Sequence, residues 1–195
     1  MTDLLARRRL ETTEAIHCAA LDLFERQGVR GTTIPQIAEL AGVSPRTFFR
    51  YFRTKEDAAM PGRHRLLDAV DALRLADLAP AQILAAIVGA TEGVILGEVD
   101  PGLVEHRRIA RLMAREPELQ WHAAARDREF AEHIAARVRT AAPQLEVLTV
   151  TLIAELAVTL WRVTWEWWGA HTEDPAVRTP AEAFAQLRAA LPGLV

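Results

Sequence analysis

The sequence predicts an all-α protein, and three observations carry that reading. Apolar residues recur every three or four positions along almost the whole chain, no stretch alternates convincingly as a strand would, and hydroxyl caps with Gly and Pro stops divide the pattern into about nine helices. At 195 residues and 50% hydrophobic content, the chain buries one sizeable core, or one small domain fused to a larger one. No run of eighteen or more apolar residues is free of charge, and the start, MTDLLARRRLETTEA, lacks a signal-type apolar segment. A cytoplasmic location with no membrane partner is therefore expected.

The first helix is read in EAIHCAALDLFERQG, residues 14–28, where Ile16, Ala19, Ala20, Leu23 and Phe24 share one face and Gly28 follows as a stop. Cys18 lies among these apolar residues and is read as core. As the single cysteine it excludes an internal disulfide and any multi-cysteine zinc site. Thr33 and Gln36 are spaced as a capping box that opens a short second helix ending near Leu40. Gly42 suits the left-handed position of a tight turn, and Ser44-Pro45 restarts the chain with a capping hydroxyl and a first-turn proline.

Two short helices joined by a three-residue turn containing glycine form a helix-turn-helix signature. The second of them begins SPRTFFRYFRTKED, residues 44–57, which mixes four cations with four aromatics in a chain whose net charge is -3. At about 100° per residue, Phe48 and Phe52 stack on one side, while Arg46, Arg50 and Arg53 fall within roughly 60° on the other, flanked by Thr47 and Tyr51. The aromatics anchor the helix and the arginines face outward, able to meet phosphates and to donate two parallel hydrogen bonds to a guanine edge. Thr54 with Asp57 forms another capping box and sets Lys55 at a helix N-terminus, where phosphate is favoured. Charge agrees with this placement, since residues 1–60 sum to about +1 and the remainder to about -4.

The run AALDLFERQGVRGTTIPQIAELAGVSPRTFFRYFRTKED, residues 19–57, resembles the N-terminal pattern of the TetR-type bacterial transcriptional regulators nearly end to end. The resemblance implies a homodimer. Each subunit would carry a three-helix DNA-binding domain, expected at residues 1–57, and a larger helical effector-binding and dimerisation domain at 58–195. By position, the family's DNA-contacting residues fall on Thr33, Arg46, Thr47, Phe49, Arg50 and Lys55, to which Ser44 and Tyr51 are added as candidates. Two departures matter: Pro35 stands where members often carry a polar or basic side chain, and Phe49 replaces a common tyrosine, so that no phenolic hydroxyl reaches phosphate there.

Beyond residue 57, a fourth helix is expected over AAMPGRHRLLDAVDALRL with a break or kink at Pro61-Gly62. APAQILAAIVGATEGVILG reads as a fifth helix, and Asp100-Pro101 begins a sixth. On that sixth helix Arg107, Arg108, Arg111 and Arg115 share one face, with His106, Ile109, Ala110 and Met113 on the other. Its arginines are either solvated or a seat for an anionic effector, and the C-terminal half loosely resembles family members with an acyl-CoA-like ligand domain. PELQWHAAARDREFAEHIAARVRTAA gives the seventh helix, with Trp121 well off its core stripe. The eighth, from Pro143 to Gly169, is apolar over roughly two thirds of its circumference, so it needs cover on more than one side. Thr179-Pro180 with Glu182 caps the ninth, which runs to about Leu191.

These features make helices eight and nine the expected homodimer interface. His106, Met113, Trp121, Trp161, Trp165 and Trp168 are candidates for a small-molecule pocket; the tryptophans alternatively fill the core or the interface. No i,i+4 histidine pair, phosphate loop or nucleophile elbow is present, so neither enzyme activity nor a metal or other cofactor is expected. The function expected is that of a sequence-specific regulator of transcription, bound to palindromic double-stranded DNA. It would be a repressor released by a small hydrophobic or acyl-type effector; the alternative is a ligand-independent regulator or an activator of the same fold.

Overall fold

The structure, a computed structural model, describes residues 2–60, 63–97, 102–171 and 179–191. Among these residues there are ten helices and no strand: α1 (Thr2–Gly31), α2 (Ile34–Leu40), α3 (Pro45–Tyr51), α4 (Lys55–Ala58), α5 (Arg63–Asp71), α6 (Pro80–Leu96), α7 (Gly102–Arg115), α8 (Pro117–Ala141), α9 (Val147–Ala170) and α10 (Pro180–Ala190). The count exceeds the expected nine because the fourth predicted helix is two, a single turn at 55–58 and a separate α5. The expected break at Pro61-Gly62 and the Asp100-Pro101 helix start lie outside the described residues.

The chain forms two compact units. The first comprises residues 1–62 together with 111–122, and the second residues 63–110 with 123–195. The boundary expected at residue 57 has no counterpart to the 111–122 segment.

In the first unit, Ile16, Ala20, Leu21, Phe24, Ile37, Phe48 and Phe52 are buried. Leu23 and Cys18 are only half-buried, because the inward face of α1 is centred on His17, Ala20, Leu21 and Phe24. His17, itself buried, lies with Nδ1 2.7 Å from the carbonyl oxygen of Ala58 and so donates to an orphan acceptor at the end of α4. Gly28 takes a left-handed φ of 74° within α1, which bends the helix there. The break deprives Val29 of its helical partner, and its amide donates instead to Glu116 Oε2 at 3.4 Å. Arg30 pairs with Glu118, two positions after Glu116, and His122 Nε2 meets Asp57 Oδ1 at 2.9 Å. These three contacts bind the 111–122 segment into the first unit.

The second unit is built around α9, which is long and apolar enough to cross a bilayer by length and composition. Its Ile153, Ala157, Leu160 and Trp161 are buried in the core of this unit with Ile83 and Ile87 of α6, Phe130, Ile134 and Val138 of α8, and Phe184 of α10. Two buried hydroxyls, Thr91 and Thr164, donate back to the carbonyls of Ile87 and Leu160, the usual refuge of such groups inside a helix. A smaller cluster joins Leu103, Trp168 and Ala183. Nearby, α7 and α9 approach so closely that a Cβ on Gly169 would lie 2.4 Å from that of Ala110.

Candidate functional site

The cationic face of α3 is held by the devices its sequence announces. Thr33 caps α2 with a complete capping box: its amide donates to Gln36 Oε1 at 2.9 Å, while its hydroxyl accepts from the Gln36 amide. The turn follows with Gly42 at a φ of 68°. Ser44 then caps α3, accepting from the Thr47 amide at 3.0 Å and sharing a second hydrogen bond with the Thr47 hydroxyl at 3.0 Å. Phe48 is fully buried and Phe52 nearly so, their rings 5.9 Å apart. With the inner side fixed by these rings, the helical spacing leaves Phe49, Arg46, Arg50, Thr47 and Tyr51 in sequence around the outer side.

Arg46, Phe49, Arg50 and Arg53 are exposed, and neither Arg46 nor Arg53 has an ion pair among the described residues. Arg50 lies over the neighbouring Tyr51 ring at 5.1 Å and donates to its hydroxyl at 3.5 Å. Burial resists ionisation of that phenol, but its hydrogen bonds with Arg50 and Thr12 and the charges of Arg50 and Arg9 outweigh it and hold the hydroxyl below its usual range. The involvement of Arg9 and Thr12 was not legible in the sequence. The leucines of residues 2–13, Leu4, Leu5 and Leu10, fall on different sides of the helical wheel and make no apolar stripe, yet α1 continues through them to Thr2 and brings exposed Arg7, Arg8 and Arg9 into the same unit.

Lys55 sits at the start of α4, as its Thr54 cap predicts, with the Asp57 amide donating to Thr54 Oγ1 at 3.1 Å. Its ammonium, however, donates to the carbonyls of Val29 at 2.6 Å and Thr32 at 2.8 Å. Two of its three donors thus satisfy acceptors at the end of α1, leaving one for any phosphate. Glu118 lies near this corner; its hydrogen bond with Arg30, ahead of its own backbone amide, holds its carboxyl below the usual range.

The other candidate set divides. His106 stacks on Trp165 at 4.2 Å, and Trp165 meets Trp161 and Trp168 edge-on at 5.5 and 6.0 Å, so four of the six residues come together in the second unit. Arg107, grouped with the outward arginines on the sequence, instead lies over the Trp168 ring at 5.5 Å, because the bulk of Trp168 offers its face to the near side of α7. The side-chain nitrogens Trp165 Nε1 and Arg107 Nε are buried without a hydrogen-bond partner. Met113 and Trp121 do not join the cluster: both belong to the 111–122 segment of the first unit, and Trp121 is 73% exposed, as its position off the α8 core stripe dictates. Among the described residues, no three His, Cys, Asp or Glu side chains converge as a metal site would need.

Residues 16–57 match the family described as bacterial regulatory proteins, tetR family. The chain is 38% identical over 126 residues to the HTH-type transcriptional regulator TcmR of Streptomyces glaucescens, a match covering 60% of this chain and 54% of that protein. It is 46% identical over 55 residues to the HTH-type transcriptional regulator RutR of Escherichia coli K12, covering 28% of this chain and 26% of that one. The chain therefore spans about half the length of TcmR and about a quarter of RutR. Among solved structures, NalD, the secondary repressor of the MexAB-OprM multidrug efflux pump in Pseudomonas aeruginosa, shares the fold with a TM-score of 0.53 at 20% identity. That match covers 96% of this chain and 97% of NalD.

Proposed function

We propose that this chain, a TetR-family transcriptional regulator, binds a palindromic or near-palindromic duplex as a homodimer, with α3 of each subunit entering successive major grooves. It represses transcription in the cytoplasm until a small hydrophobic or acyl-type effector releases it. Residues 1–57, supported by 111–122, hold the DNA, and residues 58–195 supply the effector site and the dimer contact.

The observation that carries this reading is the outer face of α3, where exposed Arg46 and Arg50 stand on a helix fixed from within by buried Phe48 and Phe52. Arg46→Ala or Arg50→Ala costs about 1 to 3 kcal/mol in affinity for the preferred duplex and relaxes preference at one base position. Binding titrations on single-base operator variants check this. An equal loss on every sequence would mean that these arginines touch phosphate only.

The effector reading rests on the tryptophan cluster. Trp161, Trp165 and Trp168 provide an apolar surface, while Trp165 Nε1 and Arg107 Nε are donors that a ligand carbonyl or carboxylate satisfies. A bound effector changes tryptophan fluorescence and lowers affinity for DNA, and linkage requires DNA to lower affinity for the effector by the same factor. Full release from a Trp161→Ala, Trp165→Ala double variant, with unchanged effector affinity, would remove the site from this cluster.

A further inference from the structure

We propose that Phe49 reads a thymine methyl group in each half-site of the operator, making it a determinant of sequence preference alongside the arginines. The inference rests on the reading of α3 as the helix that enters the major groove.

Pro45, the first residue of α3, and Phe49 are the two wholly apolar side chains on its exposed side, and the larger is Phe49. Its ring is 58% exposed, next in angular order to Arg46 and on the side of it away from Arg50. It is also held in place: the Phe49 ring meets the buried Phe48 ring edge-on, at a centroid distance of 5.7 Å and an interplanar angle of 86°. An aromatic braced in this way loses little rotational freedom on binding, so a contact made at its tip is not offset by ordering of the side chain.

The chemistry of the groove limits what such a ring can recognise. Phenylalanine offers neither donor nor acceptor, so it gains nothing from phosphate oxygens or from the polar edges of guanine, cytosine and adenine. The only apolar group presented in the major groove is the thymine C5 methyl. Phe49 and Arg46 are three positions apart and hence about 5 to 6 Å apart at Cβ, close to one or two base steps at about 3.4 Å each. The thymine is therefore expected within about two base pairs of the base that Arg46 reads.

The test removes the methyl and leaves every hydrogen-bonding group of the base pair in place. Wild-type protein first selects its preferred duplex from a random-sequence duplex library; each thymine in that duplex is then replaced in turn by deoxyuridine. One symmetric pair of positions is expected to respond. Affinity should fall about fourfold per half-site and about fifteenfold when both are changed, the effect of one buried methyl-sized group at each. Replacement by 5-bromodeoxyuridine, whose bromine fills the same space, should restore binding. Phe49→Ala should bind thymine and deoxyuridine duplexes alike, with its circular dichroism melt unchanged because the ring is largely exposed. If no deoxyuridine substitution matters to wild-type protein, or if the methyl counts equally in Phe49→Ala, the assignment to Phe49 is overturned while the DNA-binding reading stands. If no duplex is enriched over random sequence, both fall.

Discussion

At the scale of single residues, Lys55 shows how one cation serves two ends. Its ammonium lies on the carbonyls of Val29 and Thr32, where a helix leaves acceptors without amides, and a positive charge at a helix C-terminus is favoured by the backbone dipole as well. Lys55→Ala is expected to lower unfolding free energy by about 1 to 2 kcal/mol, the range of hydrogen bonds from a charged donor that is partly solvated. If the third donor meets phosphate, the same substitution also reduces the salt slope of DNA binding by roughly one unit. Urea unfolding and salt-titrated binding separate the two; lowered stability with an unchanged slope would leave Lys55 a helix cap alone. The sequence placed Lys55 at a capped helix start because Thr54 and Asp57 are adjacent to it. It was silent on the carbonyl partners, which lie more than twenty positions earlier and reach Lys55 only through the bend at Gly28.

At the scale of elements, what was legible follows the range of the interactions concerned. The helix-turn-helix could be read because Thr33, Ser44 and Thr54 cap their helices through amides three positions on, and Phe48 and Phe52 repeat at a spacing of four. The α7–α9 contact could not, because Gly169 reads as a helix stop until Ala110 is found against it. The helix in fact runs one residue beyond Gly169, and the missing side chain is what lets α7 approach. Gly169→Ala is expected to cost about 1 to 3 kcal/mol through overpacking. Ala110→Gly alone should cost roughly 0.5 to 1 kcal/mol, the penalty of glycine within a helix. The double variant exchanges the two side chains and should recover most of the Gly169→Ala loss. A denaturant double-mutant cycle with no favourable coupling would show that the two positions are not in contact.

At the scale of the whole molecule, α9 retains uncovered apolar surface on Val147, Leu148 and Leu152, at 69%, 78% and 58% exposure. A self-complementary contact with a second copy is the arrangement that two-fold symmetry supplies for such a stripe. Light scattering should give twice 21.6 kDa for the wild type. Leu152→Arg should give the monomer with stability within about 0.5 kcal/mol, as for an exposed substitution. DNA affinity should fall steeply with it, because the two half-sites are no longer engaged together; a wild-type monomer at micromolar concentration would exclude the interface. The composition of the first unit, residues 1–62 with 111–122, bears on how the protein can be recombined. A chimeric sensor made by joining its N-terminal 62 residues to a foreign receiver would lack Glu116, Glu118 and His122, and so would lose the contacts they make with the Val29 amide, the Arg30 guanidinium and the Asp57 carboxylate. A working graft has to carry that second segment along, which makes the DNA-reading part of this chain two inserts of genetic text instead of one.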